Sequence, residues 1–268
     1  MKISVYTSLY NLGNNLFDWE SKLAEFIDFA DELVVATTSK CKDDTIEQLR
    51  LSSVLSNRGI FTPERFKLII TDIPFDDLAF DGKLKDAALQ ACTGDVCCLL
   101  DMDESPYNWS SWEDIGSQLI KSSFDGILIP TIDLFHDANH YKSIGFKWYM
   151  HKNHKGIHRG VVNFARLPNG KIDHTKSDTT EPIYANGSLI NAAYLIEPNI
   201  SDSDKLDLIR NYDLAHVIHT GWLDKEKRKK ASEFWQPVWS NIAGFEVNSG
   251  ETDETLSKIP YYPHNLNV

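Results

Sequence analysis

Asp95-Val96-Cys97-Cys98-Leu99-Leu100-Asp101-Met102-Asp103-Glu104 is the stretch from which this chain can be read. Asp95 to Leu100 predicts a strand with no polar alternation, which must be buried on both faces. Its carboxyl end, where open α/β sheets place their ligands, then delivers the aspartates. Carboxylates spaced i and i+2 at such a rim can share one hard divalent cation. Magnesium and manganese keep positions open for substrate phosphate oxygens, so few protein carboxylates are needed. The motif thus points to a metal and a diphosphate. The plain alternative is a strand ending in a solvated acidic turn, a place that Asp favours.

Outward from this stretch, residues 1 to about 132 alternate strand and helix signals. Lys2 to Ser8 reads as a strand, followed by the turn-rich Asn11-Leu12-Gly13-Asn14-Asn15. Leu16, Trp19, Leu23, Phe26, Ile27 and Ala30 recur at the spacing of an amphipathic helix. Glu32 to Thr37 predicts a strand, Asp43 to Asn57 a helix stopped by Gly59, and Phe66 to Thr71 a third strand. A helix over Lys83 to Thr93, stopped by Gly94, leads to the central strand. Ser110-x-x-Glu113 matches a capping box opening the next helix, and Asp125 to Ile132 reads as a further strand. Strands separated by helices of this length imply right-handed crossovers and an α/β fold with a mostly parallel central sheet flanked by helices.

Beyond residue 133 the pattern changes. Ile144 to His151 and Ile157 to Ala165 predict a hairpin joined through Asn153-His154-Lys155-Gly156, followed after Pro198 by short helices and the aromatic Phe234-Trp235-Gln236-Pro237-Val238-Trp239. The expected organisation is a nucleotide-binding half, 1–132, and an acceptor-side half, 133–268, in one continuous domain.

Composition narrows the function classes. The 268 residues, 42% hydrophobic and 25% charged, suffice for one large core. A formal charge of -12 argues against nucleic acid, because a phosphate backbone would be repelled. Lys225-Glu226-Lys227-Arg228-Lys229-Lys230 is the exception, read as a solvated helix face or a peripheral contact with a membrane or acidic acceptor. Met1 to Tyr6 starts directly with a strand and predicts no secretion signal, and no run of about 18 apolar residues predicts a transmembrane segment. Cys41, Cys92, Cys97 and Cys98 form no Cys-x-x-Cys pair. They are expected to be packed, reduced thiols, and the protein cytoplasmic.

Three segments resemble glycosyltransferase family 2 enzymes of the GT-A fold, nearest the lipopolysaccharide-core β-glucosyltransferase type. Phe29-Ala30-Asp31-Glu32-Leu33-Val34-Val35, with Ser39 and Asp43-Asp44-Thr45, is similar to that group's second strand and Ser-Thr-Asp-x-Thr loop. Lys85-Asp86-Ala87-Ala88-Leu89 through Gly94-Asp95 to Asp101-Met102-Asp103-Glu104 is similar in spacing and order to its Lys-Asn-x-Ala-Leu, Gly-Asp and Asp-x-Asp-Glu run. His216-Val217-Ile218-His219-Thr220-Gly221-Trp222 resembles a His-x-Gly-Tyr element near the end of such enzymes. Two positions depart from the pattern. Ala36-Thr37-Thr38 stands where a base-reading Asp is usual, and Gly160-Val161-Val162-Asn163 supplies no His-Glu pair.

The resemblance implies a metal-dependent, inverting transfer of a hexose from a nucleoside-diphosphate sugar, UDP favoured, to a saccharide or lipid-linked acceptor. It implies Mn2+ or Mg2+ on Asp103, with Asp101 on the donor ribose or the metal and His219 as a third ligand; a buried structural imidazole is the alternative for His219. Lys85 would face the nucleotide, unless it is a surface lysine, and Thr7, Tyr10 and Thr37 would line the donor site, unless they are strand caps and a loop aromatic. Inversion needs a carboxylate base, and among Asp133, Asp173, Asp178 and Glu181 the choice falls on Glu181, then Asp173. Trp148, Tyr149, Trp222, Trp235 and Trp239 could stack on sugars or fill a core. His136/His140 and His154/His158 have i, i+4 spacing, but the second pair falls in a predicted hairpin, which argues against zinc. Two rival functions remain: a haloacid-dehalogenase-type phosphatase, whose Asp-x-Asp loop the motif imitates, and a non-catalytic nucleotide-sugar or glycan-binding module.

Overall fold

The computed structural model describes residues 1–14, 18–57, 62, 64–75, 77, 79–135, 137–160, 182–221 and 257–258. Four strands form the heart of the sheet: β1 (Ile3–Ser8), β2 (Glu32–Thr38), β3 (Phe66–Thr71) and β4 (Val96–Leu99). They lie parallel in the order β3-β2-β1-β4. Their interiors are largely apolar because successive residues serve different cores. Val5, Leu33, Val35, Val96 and Cys98 enter one cluster, whereas Tyr6, Val34, Ala36, Cys97 and Leu99 enter another on the opposite face.

Helices cover both faces. On the first lie α1 (Trp19–Phe29), with Leu23, Phe26 and Ile27 inward, and the short α2 (Thr45–Leu51) and α3 (Ser53–Asn57). The single helix expected from Asp43 to Asn57 is thus two, broken at Ser52 (ψ 116°), whose hydroxyl donates to Glu20 and accepts the Leu55 N–H. On the second face α4 (Phe80–Gln90) buries Phe80, Leu84, Ala88 and Leu89. It begins and ends three residues earlier than its periodicity suggested. Gly94 therefore does not cap it: Gly94 sits against β1, where a Cβ would come within 2.7 Å of the Ser4 N and 2.8 Å of the Lys2 carbonyl oxygen.

The chain then adds β5 (Glu104–Tyr107) and α5 (Trp109–Lys121), whose N-cap is Asn108 and not the expected Ser110. The Asn108 carboxamide oxygen accepts from the Ser111 N–H and the Ser110 hydroxyl. β6 (Gly126–Phe135) and β7 (Asp137–Lys152) form a long antiparallel pair, and β7 returns alongside β4, with Cys98 opposite Met150. The hairpin in this half is therefore not the one expected. Ile144 to His151 belongs to β7, while β8 (Ile157–Arg159) pairs with β9 (Ile183–Ala185), which pairs in turn with β10 (Ser188–Leu189), in a separate three-stranded sheet. β11 (Ala192–Tyr194) joins β6, α6 (Asp202–Asn211) packs on a third core with Leu206 and Ile209, and β12 (His216–His219) inserts between β6 and β5. β13 (Ser257–Lys258) pairs with β7. The α/β class and the central sheet flanked by helices are as expected. The parallel order holds through β4 and gives way to mixed pairing beyond it.

Candidate functional site

β4 and β12 end at one rim, and three strands line up their polar residues there. In register, His219 of β12 lies opposite Asp133 of β6 and Glu104 of β5. The Asp101–Glu104 turn between β4 and β5 closes on itself. The Glu104 N–H donates to the Asp101 carbonyl (3.0 Å), and the Asp101 N–H donates to Glu104 Oε2 (2.8 Å). The turn is tied to the end of β12 by Thr220, whose N–H and hydroxyl both donate to the Asp103 carbonyl at 2.7 and 2.9 Å. Such a loop is preorganised, because both its backbone ends are bonded before any ligand arrives.

The two aspartates then face different partners. Asp103 Oδ2 meets His219 Nε2 at 3.1 Å, and the other imidazole nitrogen, Nδ1, meets Asp133 Oδ1 at 2.9 Å. Ser143 donates to Asp133 Oδ2 at 2.7 Å. Burial works against charge on His219, but Asp103 and Asp133 outweigh it and hold the imidazole pKa well above its ordinary value. Burial raises and His219 lowers the Asp103 pKa, with a net fall. Asp101, by contrast, is held by ammonium groups: Lys147 Nζ lies 2.5 Å from its Oδ2 and Lys85 Nζ 3.1 Å from its Oδ1. Burial alone would raise the Asp101 pKa, and the two lysines push it well below the usual carboxylate range. Lys147 also donates to Glu104 Oε1 (2.8 Å), which accepts from the Tyr149 hydroxyl (2.7 Å). Burial raises the Glu104 pKa despite Lys147.

A divalent cation finds a partial ligand set here. Asp103 Oδ2 and His219 Nε2 converge at 3.1 Å, close to the ~3.0 Å edge between adjacent ligands of an octahedral ion bound at about 2.1 Å. The Asp133 carboxylate behind His219 is the partner that a metal-ligating histidine ordinarily has. Gly221 supplies the space: a Cβ there would stand 2.6 Å from Asp103 Oδ2 and 2.9 Å from His219 Nε2. Among the described residues, no three His, Cys, Asp or Glu side chains form a metal cage. The remaining positions would fall to water and phosphate oxygens.

The other expected site residues are distributed as follows. Lys85 is buried, not a surface lysine, and pairs with Asp81 at 2.7 Å as well as with Asp101. Thr7 is buried and its Oγ1 has no hydrogen-bond partner among the described residues; Thr37 is buried with Oγ1 3.6 Å from Cys41 Sγ. Tyr10 packs edge-on to Phe80 and Phe75, at 5.0 and 5.9 Å between ring centroids. Asp133 is engaged by His219 and Ser143, so it is not poised as a base. Trp148 and Tyr149 are core side chains. His154 and His158 diverge, to Asp125 and Asp86. Glu181, Asp173 and Asp178 lie outside the described residues, as do His136, Trp222, Trp235, Trp239 and the basic run Lys225 to Lys230.

Sequence reading missed Lys147, the hydrogen bond of Tyr149 and the two roles of Thr220 and Gly221. A lysine in the otherwise apolar Gly145-Phe146-Lys147-Trp148-Tyr149 was a usable signal, since i, i+2 residues share a face and place Lys147 beside Tyr149, 5.4 Å above its ring.

No family model and no curated protein matches this chain. Solved structures similar to it include S. aureus TarS 1-349, at 14% identity and TM-score 0.38, covering 93% of this chain and 67% of that one. The same protein in complex with UDP-GlcNAc gives 13% identity, TM-score 0.36 and coverages of 91% and 74%. Glucosyl-3-phosphoglycerate synthase from Mycobacterium tuberculosis, in complex with Mn2+, UDP and glucosyl-3-phosphoglycerate, gives 17% identity and TM-score 0.30. There the match covers 50% of this chain and 44% of the other. No helix among the described residues is long and apolar enough to cross a membrane.

Proposed function

We propose that this protein is a glycosyltransferase, a metal-dependent enzyme that moves a hexose with inversion from a nucleoside-diphosphate sugar, UDP-sugar favoured, to a saccharide or lipid-linked acceptor. The observation that carries the reading is the convergence of Asp103 and His219 at the strand rim, with Asp133 behind the imidazole and the glycine gap of Gly221 before it. In this reading residues 1–132 hold the donor and 133–268 the acceptor.

Asp103 and His219 would hold Mn2+ or Mg2+, which supplies Lewis-acid stabilisation of charge on the departing diphosphate. The protein's own part is orientation and charge. Lys85, fixed by Asp81 and Asp101, adds a buried cation beside the loop, suited to the developing negative charge. Thr7, Tyr10 and Thr37 would flank the nucleotide, and the Thr7 hydroxyl, unpartnered among the described residues, could find its acceptor there. Glu181, with Asp173 as second choice, would take the proton from the attacking hydroxyl as the new glycosidic bond forms on the face opposite the leaving diphosphate.

Calorimetric titration of UDP, GDP and their sugars, with and without Mn2+, on wild type and Asp103→Ala tests the reading. Binding that requires both Mn2+ and Asp103, followed by turnover with an acceptor, is the expected result. Metal-dependent binding with no turnover on any acceptor would favour the non-catalytic binding module. No nucleotide binding at all, with hydrolysis of small phosphoesters, would replace the reading with the phosphatase.

A further inference from the structure

Asp101 and Asp103 are equivalent in sequence, yet the fold treats them oppositely. Both oxygens of Asp101 face ammonium groups, Oδ2 toward Lys147 at 2.5 Å and Oδ1 toward Lys85 at 3.1 Å. Its backbone N–H is pinned to Glu104 Oε2. Lys147 is itself fixed at 2.8 Å from Glu104 Oε1 and stands above the Tyr149 ring. Asp103 instead presents Oδ2 to His219 across the gap left by Gly221. The ammonium groups of Lys147 and Lys85 thus offset the charge of Asp101 and part of that of Glu104, which weakens the pull of the loop on a bare divalent ion.

We propose that Lys147 is a positioning residue that keeps Asp101 out of the metal's ligand set, so that the cation binds firmly only together with the donor diphosphate. This rests on the glycosyltransferase reading. Physically, one carboxylate and one imidazole give a weak site alone, and the diphosphate brings the missing negative oxygens. Moving Lys147 away would free Asp101 to turn toward the cation and would remove a repelling charge. Its loss should therefore tighten binding of the bare ion, whereas loss of a merely structural lysine would weaken or not change it.

The test is Mn2+ binding, followed by the electron paramagnetic resonance of the free ion, with and without UDP, on wild type, Lys147→Met, Lys147→Arg and Asp101→Asn. Removing one unit charge a few ångströms from a divalent ion should tighten bare Mn2+ binding by about tenfold in Lys147→Met, even at water-like screening. Lys147→Arg should behave as wild type. Asp101→Asn should weaken bare Mn2+ binding in wild type by no more than about the same tenfold, since only a unit charge is lost, and by clearly more in the Lys147→Met background, where a ligand is lost as well. Lys147→Met binding no tighter than wild type would overturn the proposal. If that variant does not fold, a loss of about a hundredfold or more for Asp101→Asn in wild type would do so, because it exceeds what one unit charge explains and Asp101 would then already be a ligand. Failure of the underlying reading is separately visible: wild type would bind no UDP with or without Mn2+, whatever Lys147→Met does to the bare ion.

Discussion

Asp133 holds the far nitrogen of His219, and its weight in the site is carried through that imidazole. Asp133→Ala leaves the ring free to rotate and the Ser143 hydroxyl without its acceptor. Loss of such an outer partner costs 10- to 100-fold in metal affinity as an order of magnitude. We therefore expect Mn2+-dependent UDP affinity to fall by roughly that factor with the melting temperature almost unchanged, as read by calorimetry and thermal denaturation. Gly221→Ala acts on the same atoms from the other side. Its methyl would sit 2.6 Å from Asp103 Oδ2 and 2.9 Å from His219 Nε2, so one or both must move. The expected outcome is native circular dichroism with Mn2+-dependent UDP binding lost, and retention of wild-type affinity would remove Gly221 from the site. Asp101 and Asp103 were legible at this scale from composition and spacing alone. Lys147 was only half legible: the apolar run around it marks it as unusual, but its partners follow from the antiparallel register of β7 against β4, which nothing local in sequence announces.

Where one element meets the next, close approach matters more than helix propensity. Gly94, between α4 and β4, lies against the backbone of β1, where neither the Ser4 N nor the Lys2 oxygen can yield as a flexible side chain would. Gly94→Ala should therefore destabilise by about 1–3 kcal/mol, the usual cost of forcing a methyl into a packed site. Gly145 in β7 is the internal control, since a Cβ there meets nothing within 4 Å among the described residues. Gly145→Ala should be neutral, or stabilising by about 0.4–1 kcal/mol through the unfolded chain. Urea denaturation of both variants checks the pair, and equal effects would show that the approach at Gly94 is not what constrains it. The same scale explains the misread helix ends. Periodicity located the inward face of α1, but the break at Ser52 and the cap at Asn108 depend on single side-chain hydrogen bonds, which periodicity does not report.

For the whole molecule, buried ionisable groups set the response to acid. His151, hydrogen-bonded to the Tyr6 hydroxyl and the Lys152 carbonyl, and His216, bonded to the Leu214 carbonyl, are lowered by burial from 6.5 to about 4. Between those values the unfolded chain holds more protons on these two residues than the folded one, so their contribution is full above pH 6.5 and falls as pH drops toward 4, whereas His219, with its raised pKa, contributes fully below pH 6.5 and less above it. His151 and His216 each contribute at most about 3 kcal/mol to the loss in acid. Glu32 extends it: burial raises its pKa, but Lys67, Ser4 and Thr93 lower it from 4.5 to about 2, and their stabilisation is lost as pH falls through that range. The urea midpoint should drop steeply from pH 7.5 to 4.5 in wild type and less in His151→Gln, and a flat profile would contradict the burial of both histidines. By itself the sequence determined the α/β class, the doubly buried strands and the aspartates at their rim, because alternation, helical spacing and apolar runs are local consequences of backbone geometry. Only the tertiary structure decided which strands pair beyond β4, that His219 meets Asp103 and Asp133, and that Asp101 belongs to two lysines. Those side-chain contacts join residues up to 116 positions apart, and such closures are set by register and packing across strands.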